Sequence, residues 1–247
     1  RDPARGDRSA ERIRTIAPAA DVQVSVLDLA DLGSVRRFAD DWSREHPEGL
    51  DLLVNNAGVM AVPRRQTADG FELQLGANHL GHFALTGRLL PALVARPRSR
   101  VVTVSSNAHR MGRIHFDDLQ GARRYGPWRA YAQSKLANLL FTYELQRRLS
   151  VAKQHTIALA CHPGGADTEL AHDAGLVMRI IYPLGRRVLQ PAAMGALPTV
   201  RAAVDPEAHG GQYFGPEKSM GGFPVETRSN AYSHDTLVAR RLWSVSE

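Results

Sequence analysis

The sequence predicts one α/β domain with a doubly wound parallel sheet, in which helices cover both faces. Three observations support this fold class. Short apolar runs alternate with longer stretches of helical periodicity, the pattern of repeated strand–helix units. In most of these runs apolar and polar residues do not alternate, as expected for strands buried on both faces. The chain has 247 residues, which is large for one domain and too small for two. We therefore expect a single domain over 1–247, with a tail at 217–247 packed on it.

The elements follow in order along the chain. The first predicted strand (VQVSVL) precedes an amphipathic helix, and the second (LDLLV) ends in the turn NNAG. A long helix leads to a third strand and a loop over 107–127, and a second long helix leads to a fourth strand that ends at HPGG. The predicted strands are 22–27, 50–54, 101–104, 156–160 and 211–214, and the predicted helices are 32–42, 71–94, 129–149, 191–204 and 233–243.

The composition excludes several classes of protein. Hydrophobic residues (43%) and charged residues (23%) have ordinary globular frequencies, so extensive disorder is not expected. Cys161 is the only cysteine, which rules out an intrachain disulfide and a cysteine-based zinc site. The net charge is +6, but the arginines are scattered, so nucleic-acid binding is not expected. We see neither a signal peptide nor a bilayer-spanning run, which favours a soluble protein of a reducing, cytoplasmic compartment.

The strongest chemical signal is the pair Tyr131 and Lys135, four residues apart on a predicted helix and therefore on one face of it. A free phenol has a pKa near 10, and a fixed ammonium nearby is expected to lower that pKa. A tyrosine of this kind can exchange a proton with a carbonyl or an alcohol. On this spacing alone, a solvated lysine beside a packed tyrosine is the better interpretation.

The context of the pair favours a site. The strand VVTVSS ends in Ser105 and Ser106, and ligands of open α/β sheets bind at the carboxyl ends of the strands. A hydroxyl there can hold a substrate oxygen near the tyrosine, although a serine that merely caps the loop is the alternative. Asn78 lies among apolar residues within a predicted helix and is expected to face inward, where its amide can bind water or backbone.

Taken together, the motifs resemble the short-chain dehydrogenase/reductase family, in particular its retinol-dehydrogenase-like branch. Several motifs in the family's order carry the resemblance, from residue 22 to the C-terminus. They are Asp28-Leu29 after a strand, LLVNNAGVM (52–60), TADGFE (67–72), NHLGHF (78–83), VVTVSS (101–106), GRIHFDDL (112–119), YAQSKLAN (131–138), HPGGADTEL (162–170) and ARRLW (239–243). The resemblance implies a Rossmann-like fold and reversible hydride transfer between NAD(P)H and a carbonyl or alcohol, without a metal.

The resemblance also assigns roles. Tyr131 would be the proton donor or acceptor, and Lys135 would lower its pKa and bind the nicotinamide ribose. Ser106 would orient the substrate, with Ser105 the less favoured candidate, and Asn78 would support a water relay behind Lys135. The remaining cofactor contacts would be Asp28 by the adenine, Asn55 and Ala57 near the adenosine ribose, and Pro163, Gly164 and Thr168 around the nicotinamide.

One departure from the family concerns the N-terminus. The family begins with a strand, a glycine-rich turn that approaches the cofactor pyrophosphate, and a helix, and no such motif precedes residue 22. We therefore expect an N-terminally truncated sheet and weak or absent dinucleotide binding by these residues alone. An inert fragment or binding module is the alternative to an enzyme. Arg1 resembles the basic position that favours the 2′-phosphate, which favours NADP over NAD.

Substrate and partners follow from the same resemblance. The segment 174–185 (AGLVMRIIYPLG) would cover the substrate, and its apolar residues favour a small apolar carbonyl or alcohol. A plain packing helix is the more favoured interpretation of this segment, and a shallow membrane contact is the less favoured one. The histidine spacing predicts no metal site. The helices that carry NHLGHF and YAQSKLAN pair subunits in many relatives, which would permit a homo-oligomer.

Overall fold

The computed structural model describes residues 2–165 and 190–247. A five-stranded sheet with the sequential strand order β1-β2-β3-β4-β5 lies at its centre. Its strands are β1 (Leu52–Asn55), β2 (Arg100–Val104), β3 (Ile157–Cys161), β4 (Tyr213–Pro216) and β5 (Pro224–Glu226). The first four strands run parallel and β5 pairs with β4 antiparallel. The predicted α/β class with a parallel sheet is therefore confirmed.

Helices connect the strands. They are α1 (Pro3–Ile16), α2 (Leu32–Glu45), α3 (Leu73–Leu75), α4 (Gly81–Val94), α5 (Pro127–Val151), α6 (Ala192–Val204) and α7 (Thr236–Ser246). A π-helical turn (Gly76–Leu80) joins α3 to α4, and two 3₁₀ turns occupy Asn107–Met111 and Ala231–His234. Within the residues that the structure describes, no helix is both long and apolar enough to cross a membrane.

The central strands bury both of their faces. On one face, Val101 of β2 and Ala158 of β3 pack against α4 and α5. On the other face, Val102 and Leu159 pack against α6. Successive residues of a strand point to opposite faces, so an uninterrupted apolar run is what a strand between two helix layers requires.

The predicted first strand, 22–27, is wrong. These residues have no regular secondary structure and form no ladder with another strand in the part of the chain described. Val24 and Val26 are 41% and 62% exposed. Between this segment and α2 lies an open groove of about 850 Å³, whose apolar lining includes Phe38 and Trp42. The segment lacks strand structure because a strand exists only through hydrogen bonds to a neighbour.

Two local features also differ from expectation. The helix predicted over 71–94 is interrupted by the π turn, a feature that apolar periodicity does not reveal. Helix α1 was not predicted, although its signals are present in the sequence. Asp2 caps it by accepting a hydrogen bond from the Arg5 amide, and Pro3 occupies its first turn.

The C-terminal residues pack on α5. Ala239 and Leu242 of α7 are buried against Leu136 and Leu140 of α5. Trp243 stacks on Phe141, with ring centroids 5.9 Å apart. The outer face of α5 is therefore covered by the chain's own C-terminal helix.

Candidate active site

Tyr131 and Ser106 meet at the carboxyl end of β2. Tyr131 lies in the second turn of α5 and is 4% exposed. The Ser106 side chain lies close enough to the phenol to act on its pKa, in the lowering direction. Ser106 follows β2 and caps the 3₁₀ turn, with its Oγ accepting from the Ala108 amide at 3.2 Å. The strand end and the helix therefore bring together the two hydroxyl groups that the sequence nominated.

Lys135 lies one turn after Tyr131 and is buried. Its Nζ donates to the Val104 carbonyl at 3.1 Å and lies 5.8 Å from the centroid of the Tyr131 ring. Ser105 donates from Oγ to the Lys135 carbonyl at 2.8 Å, which ties α5 to the end of β2. Burial lowers the pKa of Lys135 to about 8. Ser105 thus binds the helix backbone, whereas Ser106 faces the phenol.

The electrostatics of Tyr131 differ from the sequence-based expectation. Burial raises the pKa of Tyr131 above its ordinary value, and the Ser106 side chain offsets only part of that effect. A lowering of the phenol pKa by Lys135 is not seen. In this structure the ammonium lies beside the ring and donates to a strand carbonyl. A phenol with a raised pKa keeps its proton at neutral pH.

Asn78 lies in the π turn and is fully buried. Its side chain accepts from the Val59 amide at 2.8 Å and donates to the Val59 carbonyl at 2.9 Å and to Ser134 Oγ at 2.9 Å. Its backbone carbonyl lies 2.9 Å from Nδ1 of His82, which must carry the proton because a carbonyl only accepts. Burial lowers the pKa of His82 to about 4, so this imidazole is neutral. Asn78 therefore fixes the segment after β1, and its part in a water relay remains a prediction.

The residues around Lys135 fit the ribose end of a dinucleotide. A lysine ammonium has three donors, and the described residues supply one acceptor, Val104 O, which leaves donors for ribose hydroxyls. Gly58 passes directly over this group, since a Cβ there would lie 2.9 Å from Asn78 Oδ1 and 3.6 Å from Lys135 Nζ. Gly164, after β3, has a φ of +69°, a conformation that favours glycine.

The other predicted cofactor residues lie in different settings. Asp28 is partly buried, and its Oδ1 accepts from the Ala30 amide at 2.9 Å. Asn55 is buried and donates to Thr86 Oγ1 at 3.0 Å, while its Oδ1 has no partner among the described residues. Ala57 is exposed. Pro163 follows β3, and its carbonyl accepts from Gln190 Nε2 at 2.8 Å.

Some predictions fall outside the described residues. They concern Arg1, Thr168 and the apolar segment 174–185. Within residues 2–165 and 190–247, no three histidine, cysteine or acidic side chains form a group that could hold a metal ion.

Sequence reasoning missed Gln74 and its neighbours. Gln74 is fully buried in α3 and hydrogen-bonds to Ala61, Tyr125 and the Pro127 carbonyl. It lies four residues before Asn78, so both amides face the same side of the helix. The spacing of two amides on the predicted helix was the available signal.

Comparison with known proteins decides the family. A family model described as short chain dehydrogenase matches residues 1–176. Retinol dehydrogenase 11 of Mus musculus is 40% identical over 248 residues, an alignment that covers 100% of this chain and 75% of that protein. The chain belongs to the short-chain dehydrogenase family. Retinol dehydrogenase 12 of Homo sapiens is 41% identical with the same coverage, which places the chain in the retinol-dehydrogenase-like branch.

Further relatives agree with this assignment. Polyprenol dehydrogenase of Mus musculus is 42% identical over 250 residues, covering 98% of this chain and 72% of that protein. Among solved structures, an uncharacterized protein from Mycobacterium Paratuberculosis is 46% identical with a TM-score of 0.80, covering 100% of this chain and 80% of that one. A short chain dehydrogenase from Shigella flexneri 2a, complexed with NADP, is 21% identical with a TM-score of 0.65, covering 87% and 83%, and shares the fold. This short-chain dehydrogenase is thus a member of a family of NAD(P)-dependent oxidoreductases.

Proposed function

We propose that this protein transfers hydride reversibly between NADP(H) and an apolar carbonyl or alcohol, with Tyr131 as the proton donor and acceptor. One observation carries the proposal. The buried phenol of Tyr131 meets the Ser106 hydroxyl at the end of β2, with the Lys135 ammonium one helical turn away. This arrangement provides an oriented proton donor, a second hydroxyl and a fixed cation in a site shielded from water.

Each residue has a separate task in the reduction. Ser106 donates a hydrogen bond to the carbonyl oxygen of the substrate and orients it. Tyr131 transfers its phenolic proton to that oxygen as the carbonyl carbon is reduced, and in the oxidation it takes the proton back. The dinucleotide, when bound, supplies or accepts the hydride. Because burial raises the pKa of Tyr131, the phenol is protonated at neutral pH, as the reduction requires.

Lys135 would hold the nicotinamide ribose through the donors that Val104 leaves free. Pro163 and Gly164 would flank the nicotinamide, and Asp28, Asn55 and Ala57 would face the adenosine end. NADP is favoured over NAD by the basic residue Arg1, and structural neighbours solved with NADP and NADPH are in keeping with that choice. Thr168 would join the nicotinamide contacts.

An apolar substrate agrees with the surroundings of Tyr131. Met60 packs against the apolar cluster that contains this tyrosine, and the Trp128 ring meets the Tyr131 ring edge-on, with centroids 6.0 Å apart. Trp128 is 44% exposed, so it presents an aromatic surface beside the phenol. Relatives named for retinol and polyprenol support the same substrate class. The alternative of an inert binding module is not favoured, because it leaves this assembly of hydroxyls and cation unexplained.

The test is NADPH oxidation by the protein expressed from its complete gene, because weak or absent dinucleotide binding is expected of residues 1–247 alone. The substrates are straight-chain aldehydes of roughly four to twelve carbons, a series in which each added CH₂ adds apolar surface to be buried. We expect turnover with NADPH, an efficiency that rises with chain length, and weaker turnover with NADH. Dinucleotide binding is measured separately by calorimetry. Binding of NADPH without turnover of any aldehyde or of the corresponding alcohols would favour the binding module.

A further inference from the structure

The segment after β1, residues 58–62, is held by side chains from three separate places. Asn78 binds both backbone polar groups of Val59, Gln74 Oε1 accepts from the Ala61 amide at 2.8 Å, and Tyr125 donates to the Val62 carbonyl at 2.8 Å. Ala61 has a φ of +49°, a left-handed conformation that is costly for a residue with a Cβ. The hydrogen bond from the Ala61 amide to Gln74 therefore holds a backbone turn that would otherwise relax.

The same amide also holds the start of α5. Gln74 Nε2 donates to the Pro127 carbonyl at 2.9 Å and to the Tyr125 hydroxyl at 2.9 Å. Pro127 is the first residue of α5. In an α-helix the carbonyl of Pro127 is the acceptor for the amide of Tyr131, four residues later. Gln74 thus contacts the helical turn that carries the proton donor.

The position of Gln74 is itself fixed. Glu72 caps α3, with its Oε1 accepting from the Gln74 amide at 2.9 Å and its Oε2 from the Leu75 amide at 2.8 Å. Both Glu72 and Gln74 are buried, so neither exchanges these partners for water. Gln74 uses both of its amide donors and its oxygen, which leaves no freedom to rotate.

We infer that Gln74 is a positioning residue that couples the 58–62 segment to the Tyr131 turn of α5. Gly58 of this segment passes over Lys135, and Met60 packs against the apolar cluster that contains Tyr131 and Ala132. Gln74 therefore sets the distance between the surface that would receive the nicotinamide ribose and the phenol that would supply the proton. This inference rests on the proposed function for its kinetic consequence, although its structural part does not.

The test compares four variants. Gln74→Met keeps the length of the side chain but has neither a hydrogen-bond donor nor a strong acceptor. Tyr125→Phe removes the hydroxyl that accepts from Gln74 Nε2, at a residue that is less buried than Gln74. Gln74→Glu keeps the acceptor for Ala61 and has no donor when its carboxyl group is ionised, although burial beside Glu72 raises the pH at which that ionisation occurs. Gln154→Met is the matched control, since Gln154 is exposed and remote from Tyr131. Amide hydrogen exchange is followed in peptides covering 58–62 and 125–131, and kcat and KM for NADPH are measured over pH.

In Gln74→Met we expect exchange to rise about tenfold or more in both peptides together, and kcat to fall by about 10–100-fold, as for a misplaced reacting group. In Gln74→Glu we expect part of the lost kcat to return as the pH falls, because the protonated side chain regains one donor. The titratable groups that face the substituted side chain are Glu72 and the Tyr125 hydroxyl. The charge of Arg64 acts to lower the pKa of both groups. Tyr125→Phe is expected to give a smaller loss that does not add to that of Gln74→Met.

Faster exchange in only one of the two peptides, or an unchanged kcat in Gln74→Met, would overturn the coupling. Should Gln74→Met not fold, the same criteria apply to Gln74→Glu and Tyr125→Phe. Absence of NADPH-dependent turnover in the unsubstituted protein would instead count against the proposed function, and the two exchange measurements would still decide whether Gln74 couples these segments.

Discussion

Helices α5 and α1 are the two extremes of this molecule. Every residue from Ala130 to Leu145 of α5 is buried, including its polar residues. In α1 only Ala10 is buried, and the segment that follows it, 22–27, pairs with no strand in the described part of the chain. The residues nominated for proton transfer belong to the first region, and the expected adenosine contact Asp28 follows the second.

Side-chain packing in this molecule is therefore dense around α5 and sparse around α1 and the segment 22–27. A buried helix can hold a phenol and an ammonium in fixed positions and shift their pKa values, because water does not compete for them. An exposed helix next to an unpaired segment can do neither. The proposed site for proton transfer therefore lies in the well-packed region of the described residues, whereas the proposed surface for the adenosine end has few packing contacts.

The largest contrast is expected in amide hydrogen exchange. Strand β2 lies between two parallel neighbours, so the amides of Val101 and Val102 should open only with much of the core. Amides of 22–27 have no ladder partners in the described residues and should exchange at least ~10³-fold faster. Mass spectrometry of peptides from both segments measures the ratio. Similar protection in the two segments would show that 22–27 is paired in solution.

Truncation of side chains should lower the free energy of unfolding much more in the core than in the segment 22–27. Leu159→Ala empties a fully buried position between β3 and α6 and is expected to lower the free energy of unfolding by about 2–5 kcal/mol. Val26→Ala, at a side chain 62% exposed, should change it by less than about 0.5 kcal/mol. Urea denaturation followed by circular dichroism measures both values. Equal losses would contradict the contrast.

Removal of the Ser106 hydroxyl sharpens the assignment of the site. Ser106→Ala should reduce kcat by about 10²-fold, the usual loss on removing one positioned donor. Ser106→Thr, which keeps a hydroxyl for the 3₁₀ cap, should retain most of the stability and part of the activity. Full activity in Ser106→Ala would exclude this serine from substrate orientation.

Lys135 links stability to pH. Its pKa is lowered to about 8 by burial, so above that pH the folded chain binds fewer protons than the unfolded chain, and stability should rise between about pH 8 and pH 10. Lys135→Met removes this buried charge and should raise the free energy of unfolding at pH 7 by about 1–2 kcal/mol, after the loss of the bond to Val104.

The gain from Lys135→Met should shrink as the pH approaches 10, while cofactor binding is lost at all pH values. Chemical denaturation at pH 7 and pH 10 measures the change in stability, and calorimetry with NADPH measures the loss of cofactor binding. A gain that is independent of pH would show that the ammonium of Lys135 carries no burial cost.

Sequence reasoning predicted the fold class and the residues that meet at the end of β2, but not the structure of every segment. Tyr131, Lys135 and Ser106 were predictable because helical spacing and the carboxyl end of a parallel strand are local signals. The strand at 22–27 was predicted wrongly. An apolar run indicates that a segment is buried, whereas strand structure depends on hydrogen bonds to a neighbouring strand elsewhere in the chain.

Other features lay beyond the signals that were used. The π turn around Asn78 changes hydrogen-bond register without changing the apolar pattern, so periodicity could not reveal it. The side chain of Gln74 forms hydrogen bonds with Ala61, Tyr125 and Pro127, and only the folded chain brings these residues together. The raised pKa of Tyr131 likewise depends on burial, which only the folded chain determines.

Replacement of the phenol by a phenyl ring tests the central claim most directly. Turnover of a straight-chain aldehyde with NADPH is compared in Tyr131→Phe and in Tyr232→Phe, a control tyrosine whose ring packs under Arg113. We predict that kcat falls by about 10²–10⁴-fold in Tyr131→Phe only, with NADPH affinity largely retained. Turnover in Tyr131→Phe equal to that of the unsubstituted protein would contradict the assignment of the proton donor.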